Sequence, residues 1–149
     1  MNISLFKLIL MISGFIGILA GILSVFPFIG GWIFFILICF SAVIEMGFLI
    51  KVGILRLDSI QESIAIGGII GFMSFLAFSI VYMPLVIILL KAFKYYANYG
   101  VAIALNNASL WIIIFISIFL AILSATVNAF TGFLTYYISE LIKDMQNRQ

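Results

Sequence analysis

Residues 110–138 read LWIIIFISIFLAILSATVNAFTGFLTYYI, with no charged side chain anywhere in the run. A membrane-crossing helix needs about 20 mostly apolar residues, so this stretch alone is long enough to span a bilayer. Three similar apolar runs precede it, at approximately residues 8–28, 32–50 and 64–90. The third and fourth runs are longer than a helix perpendicular to the membrane needs. We expect the helices to tilt or to extend beyond the lipid.

The composition supports the same interpretation. The chain has 149 residues, of which 66% are hydrophobic and 8% are charged. A soluble domain of this size would expose an apolar surface too large to hydrate. A transmembrane barrel would need alternating strands, whereas these apolar runs are continuous. The sequence therefore predicts one all-α transmembrane domain over residues 1–149, a polytopic four-helix bundle made of two antiparallel hairpins.

Several kinds of chemistry lack the residues they need. The chain has no histidine and one cysteine, Cys39 in the second run. An intramolecular disulfide and a cysteine-rich metal site are therefore excluded, and the commonest general base is missing. The net charge of +2 is too small to indicate nucleic acid. We expect no catalytic residue, no metal and no cofactor, and we expect membrane lipid as a partner.

The basic residues predict an orientation. If the connections alternate between the two sides of a membrane, one side carries five basic residues and the other carries two. The richer side holds Lys7, Lys51, Arg56, Lys143 and Arg148, and the poorer side holds Lys91 and Lys94. Because cytoplasmic loops carry an excess of Lys and Arg, both termini are predicted to be cytoplasmic. Both tryptophans and all six tyrosines also fall near predicted membrane interfaces, as expected of amphipathic rings.

The first two connections carry clear turn and capping signals. Pro27, Gly30 and Gly31 mark a very short turn between the first two runs, which makes those helices an antiparallel hairpin. In the next connection, Ser59 followed by Glu62 has the spacing of a capping box. This pair predicts the start of the third helix.

The connection before the last run predicts a short amphipathic helix at the membrane interface. Apolar residues recur there at helical spacing, at Leu90, Phe93, Ala97, Val101 and Leu105. The alternative is an extension of the third helix past Pro84, followed by a mobile loop.

Small and weakly polar residues lie at steps of three and four inside three of the runs, which places each set on one helix face. The sets are Ser13, Gly17, Gly21 and Ser24; Gly67, Gly71 and Ser74; and Ser117, Ala121, Ser124, Asn128, Thr131 and Thr135. Helices in lipid associate through close backbone contact and hydrogen bonds, both of which small residues permit. We interpret the three faces as packing surfaces, and a narrow polar path is the alternative.

Two polar residues within the runs are candidates for a coupling role. The amide of Asn128 would be costly facing lipid, so we expect it to bond to a serine or a backbone carbonyl on a neighbouring helix. Glu45 is a carboxylate within an apolar run, and intramembrane carboxylates are candidates for proton or cation coupling. The alternative is that Glu45 anchors the inner end of the second helix, reaching the headgroups or pairing with Lys51 or Arg56.

The order of these packing motifs resembles a group of small, uncharacterised bacterial four-span integral membrane proteins. The resemblance covers about residues 8–84 and consists of Gly17-x3-Gly21-x2-Ser24-x2-Pro27 and then Gly67-x3-Gly71. The cysteines associated with the second span of that group are represented here by Cys39 alone. The resemblance implies a multi-pass protein of the bacterial inner membrane, and it implies no activity.

These residues favour a structural or accessory membrane subunit, as a homo-oligomer or within a larger membrane complex. The alternative is a small-solute or ion transporter or channel that acts as an oligomer. Four helices with one charged residue give a poor path within one copy, so a pore would form between copies.

Overall fold

The computed structural model describes residues 3–96 and 98–146. Their helices are α1 (Ile3–Leu23), α2 (Gly30–Lys51), α3 (Ile60–Phe93), α4 (Tyr99–Asn107) and α5 (Leu110–Gln146), and the described residues contain no strand. By length and composition, α1, α2, α3 and α5 could each cross a membrane. The all-α prediction with four helices of spanning length is therefore confirmed. Ala97 and Arg148, used above, lie outside the described residues.

The first helix ends at Leu23, five residues before the predicted boundary at residue 28. Pro27 disfavours a helical conformation in the residue before it. The N–H of Phe26 accordingly donates to the carbonyl of Leu23 at 3.1 Å, a tightened final turn. Phe28 then adopts the left-handed region with φ of 67°, and α2 begins at Gly30. Residues 24–29, which contain Pro27, thus separate α1 from α2.

The third helix runs through its proline. Its N-terminal cap is Ser59, whose hydroxyl accepts the N–H of Glu62 at 3.2 Å. The helix continues past Pro84 to Phe93 and ends where Lys94 takes a left-handed φ of 51°. The extension past Pro84, considered above as an alternative, is therefore present.

A short helix before the last span is also present, but it covers Tyr99–Asn107 only, because Leu90 and Phe93 of the predicted helix belong to α3. Asn98 caps α4 by accepting the N–H of Val101 at 3.2 Å. Ala102 is fully buried, and Val101 and Leu105 are half-buried. The helix therefore presents one apolar side to the bundle, and α3 contacts it.

The bundle is organised around α3, which packs against each of the other four helices. α5 packs on α2 as well as α3, and α1 contacts α2 less extensively than α3. Aliphatic side chains form one buried cluster, comprising Ile9, Ala42, Met46, Leu49, Leu55, Leu57, Ile66 and Ile70. A second cluster comprises Ala20, Leu37, Phe75, Phe78 and Ala121. The small-residue faces lie between these clusters and bring the helices together.

Candidate functional site

Glycines bring α3 and α5 into backbone contact, and we call this region the α3–α5 glycine contact (Gly67, Gly71 and Gly132). A Cβ atom added to Gly67 would collide with the backbone carbonyl oxygen of Asn128, and it would lie 3.1 Å from the Cα of Gly132. At Gly71 the added atom would lie 2.6 Å from the carbonyl oxygen of Ser124. Because these neighbours are backbone atoms, rotating a side chain cannot relieve the overlap. The approach of the two helices depends on glycine at these positions.

A second close contact joins α1 to α3. A Cβ atom added to Gly17 would collide with the backbone carbonyl oxygen of Ser74. At Gly21 it would lie 3.2 Å from the carbonyl oxygen of Phe78. Gly14, on another side of the same helix, has nothing within 4 Å of the added atom. The face of α1 that carries Gly17 and Gly21 is therefore the one that meets α3.

The remaining small residues predicted on α5 differ in their surroundings. Ala121 and Ser124 are fully buried, and the hydroxyl of Ser124 donates to the carbonyl of Gly71 at 3.0 Å. Ser117 is half-buried and donates to a carbonyl of its own helix at 2.7 Å, with the sulfur of Met83 at 3.2 Å. The face is thus enclosed at Ala121 and Ser124, and it is more open at Ser117.

Asn128 joins α5 to α2 through both ends of its amide. Its Oδ1 accepts the N–H of Ala42 at 2.8 Å and the hydroxyl of Ser41 at 3.0 Å. Its Nδ2 donates to the carbonyl of Ile38 at 2.7 Å and to that of Ser124 at 3.0 Å. In a regular α-helix the N–H of residue 42 pairs with the carbonyl of residue 38. The amide therefore bonds to both groups of this backbone pair. Its oxygen accepts from the N–H of Ala42, and its nitrogen donates to the carbonyl of Ile38.

Ser41, Ser74, Ser124 and Asn128 form a central polar cluster in which α2, α3 and α5 meet. The hydroxyls of Ser74 and Ser41 lie 3.3 Å apart, and Ser74 also donates to the carbonyl of Ile70 at 2.7 Å. All four side chains are at most 1% exposed. Each has a hydrogen-bond partner within the bundle, as buried polar groups require. The cluster therefore holds the three helices in one arrangement.

Glu45 lies inside the bundle, with 1% of its surface exposed. The hydroxyl oxygen of Ser13 is 2.8 Å from its Oε2 and 2.8 Å from the carbonyl oxygen of Ile9. The hydroxyl of Ser13 therefore donates to both oxygens as a three-centre hydrogen bond, which links Glu45 to the backbone of α1. The other carboxyl oxygen, Oε1, has no hydrogen-bond partner among the described residues. Glu45 is therefore one of three described residues that bury a polar side-chain atom without a hydrogen-bond partner, with Ser24 and Ser79.

The alternative placing Glu45 at the interface, paired with Lys51 or Arg56, is wrong. Each residue turns an α-helix by about 100°, so Lys51 lies about 240° around α2 from Glu45. Lys51 and Arg56 are exposed, whereas Glu45 faces Ser13 on α1. The prediction used distance along the chain and neglected the helix face. Ser41 and Glu45 are four residues apart, which places them on one side of α2. This spacing is the sequence signal that could have identified both as buried polar residues.

Comparison of this chain with protein-family models, curated proteins and solved structures finds no match. The proposed function therefore rests on the contacts within the bundle.

Proposed function

We propose that this chain is an integral membrane protein without catalytic chemistry, acting as a structural or accessory subunit in a larger membrane complex or a homo-oligomer. The observation that carries the proposal is the central polar cluster. Its donors and acceptors bond to one another and to helix backbone, so they serve helix association and leave no group directed at a substrate. An enzyme would need acid, base or metal groups positioned around a shared cleft.

The bundle is proposed to cross the bilayer four times as two antiparallel hairpins. Ser13 faces Glu45, and the carbonyl of Ser24 lies against Gly30, so contact positions rise along α1 as they fall along α2. The glycine contacts between α3 and α5 follow the same reversed order. Four crossings place both termini on one side. The excess of Lys and Arg in the connections supports the cytoplasm as that side, and the resemblance to small bacterial four-span proteins implies a bacterial inner membrane.

Labelling of single cysteines tests this topology, in a background where Cys39 is replaced by serine. We expect Asp58→Cys and Asp144→Cys to react with a membrane-impermeant maleimide in inside-out vesicles only. We expect Asn106→Cys to react in right-side-out vesicles only. Reaction of Asp58→Cys and Asn106→Cys on the same side would exclude the single crossing by α3, which separates the α2–α3 connection from α4.

The subunit role is tested by extracting the protein from native membranes into lipid nanodiscs and weighing the particles by native mass spectrometry. The proposal predicts a fixed stoichiometry with a second copy or with another membrane protein. Particles that contain one copy and lipid alone, across several gentle extraction conditions, would contradict it.

Proton or cation coupling through Glu45 is the second candidate, favoured by the unpartnered Oε1 of a fully buried carboxyl group. It predicts ion flux in proteoliposomes that Glu45→Gln abolishes. The matched control is Asp58→Asn, which removes an exposed carboxylate and leaves flux unchanged. Flux no greater than in protein-free vesicles, measured with H⁺, Na⁺ and K⁺ gradients, would reject this candidate for those ions.

A further inference from the structure

A cavity of about 580 Å³ lies beneath α4, between the α1–α2 turn and helices α2, α3 and α5. This volume falls within the range of small-molecule binding sites in proteins, roughly 300–1,000 Å³. Much of its wall is aromatic, from Phe34, Phe75, Phe78 and Tyr82. The rings of Phe78 and Tyr82 stack with centroids 4.9 Å apart, and Phe34 meets Phe75 edge-on at 5.8 Å. The wall is therefore a packed aromatic surface.

One polar group in this wall lacks a partner. Ser24 lines the cavity, is 4% exposed, and its Oγ makes no hydrogen bond among the described residues. Buried hydroxyls in proteins are nearly always hydrogen-bonded, and because Ser24 borders a cavity, a molecule bound there can supply the missing partner. The hydroxyl is both a donor and an acceptor, and it fits a carbonyl or a hydroxyl group equally.

The lack of charged side chains among the described lining residues limits the kind of ligand that can bind. Of the described residues that line the cavity, none is Lys, Arg, Asp or Glu. A carboxylate or phosphate buried there would lack a counter-charge, which is strongly unfavourable. Asn98 contributes a neutral amide at the start of α4. The wall therefore suits an uncharged molecule with a large apolar part and a single polar end.

The exposed part of the lining indicates the route of entry. Phe28 is 96% exposed, and Phe26 and Ile116 are also exposed, so the open side is mostly apolar, with Asn98 as the exposed polar residue among the described lining. We propose that this cavity binds an uncharged, lipid-soluble molecule whose carbonyl or hydroxyl group bonds to Ser24. Such a molecule enters from the lipid. The inference goes beyond the proposed function, because it holds for a subunit and for a transporter alike.

The test uses photolabelling of the full chain in phosphatidylcholine vesicles. The probe is hexadecanol bearing a mid-chain diazirine, and the comparison probe is the matching alkane without the hydroxyl. We expect the alcohol to label residues 24–34 and 98–105 saturably, with competition by unlabelled hexadecanol. Ser24→Ala should weaken the alcohol's apparent affinity about fivefold, the effect of one neutral hydrogen bond, and should leave alkane labelling unchanged.

Two matched controls distinguish the cavity from general effects. Ser79→Ala removes a hydroxyl that is also 4% exposed and unpartnered but does not line the cavity, and it should change nothing. Ala104→Trp should fill the cavity from α4 and abolish saturable labelling. Ile103→Trp, one residue away and outside the lining, should retain it.

Three results would overturn the proposal. One is labelling that does not saturate and spreads along the outer face of α5, which is lipid contact alone. Another is unchanged labelling in Ala104→Trp, which means that the probe never occupied the cavity. The third is equal affinity of wild type and Ser24→Ala for the alcohol, which leaves Ser24 without a role in binding.

Discussion

The two ends of α3 are built from different residues and leave different amounts of space. Near its start, Gly67 and Gly71 let the backbone of α5 come into contact, and the buried polar groups around them are paired. Farther along nearly the same face stand Phe75, Phe78 and Tyr82. There α3 and α5 border a cavity of about 580 Å³ with an unpaired serine in its wall, while α1 stays in close contact with the backbone of α3 at Phe78.

If the bundle lies in lipid as proposed, the contrast shows how a helix there sets the distance to its neighbours. Burying apolar surface gives little gain where the solvent is itself apolar, so packing and hydrogen bonds decide the arrangement. Glycine removes the side chain between two backbones and lets the polar groups of both helices meet. A phenylalanine at the equivalent step prevents that approach and leaves room for a ligand. One helix face thus serves assembly at one end and can serve binding at the other.

The largest effect is expected at the α3–α5 glycine contact. Gly67→Ala should lower the free energy of unfolding by about 2–3 kcal/mol, because its Cβ meets backbone that cannot move aside. Gly68→Ala is the matched control, since its Cβ finds only ordinary contacts at 3.7 Å, and better helix propensity should leave stability equal or slightly higher. Reversible unfolding in mixed micelles measures both. Equal losses in the two variants would show that general helix perturbation, not backbone contact, governs stability.

The next effect concerns the central polar cluster. Asn128→Leu should cost about 1–2 kcal/mol of unfolding free energy, because the amide's bonds to Ser41, Ala42 and Ile38 are lost within the bundle. Thr126→Val is the control, since Thr126 is exposed and bonds to a carbonyl of its own helix. The same unfolding assay compares them. A stable Asn128→Leu variant would mean that the amide serves something other than assembly.

A smaller effect is expected at Glu45. Glu45→Gln should change stability by less than about 0.5 kcal/mol, because the side-chain oxygen of glutamine can still accept the hydrogen bond from Ser13. Glu45→Leu should be the less stable of the two, since it leaves the serine without that partner. Unfolding of both variants at neutral pH gives the comparison. A large loss on substitution by Gln would indicate that the bundle requires a charged carboxylate.

The smallest global effect is expected at the α4 end. Asn98→Ala removes the cap of α4 and should speed hydrogen exchange over residues 99–107, with less than about 0.5 kcal/mol lost overall. Ser59→Ala removes the corresponding cap of α3, which packs on every other helix, and should cost about 1 kcal/mol globally. Global destabilisation by Asn98→Ala as large as that by Ser59→Ala would place α4 in the cooperative core.

The sequence predicts the helices better than it predicts their surroundings. Uninterrupted apolar runs identify the four long helices, and the capping residue Ser59 marks where α3 begins. The sequence does not show that Glu45 is buried against α1. Its burial depends on which face of α2 meets α1, and apolar residues occur on every side of α2. The cavity beneath α4 could not be predicted either. It depends on distances between helices that no local pattern along the chain encodes.

Photolabelling the native chain in vesicles that contain a diazirine-bearing phospholipid tests the inward orientation of the small-residue faces most directly. Residue-level mass spectrometry then reports which side chains of α5 touch acyl chains. We predict modification at Phe115, Phe119, Ile122 and Phe130, which are exposed, and none at Ala121, Ser124 or Asn128, which are fully buried. Modification of those three residues at levels similar to their exposed neighbours would contradict the packing described here.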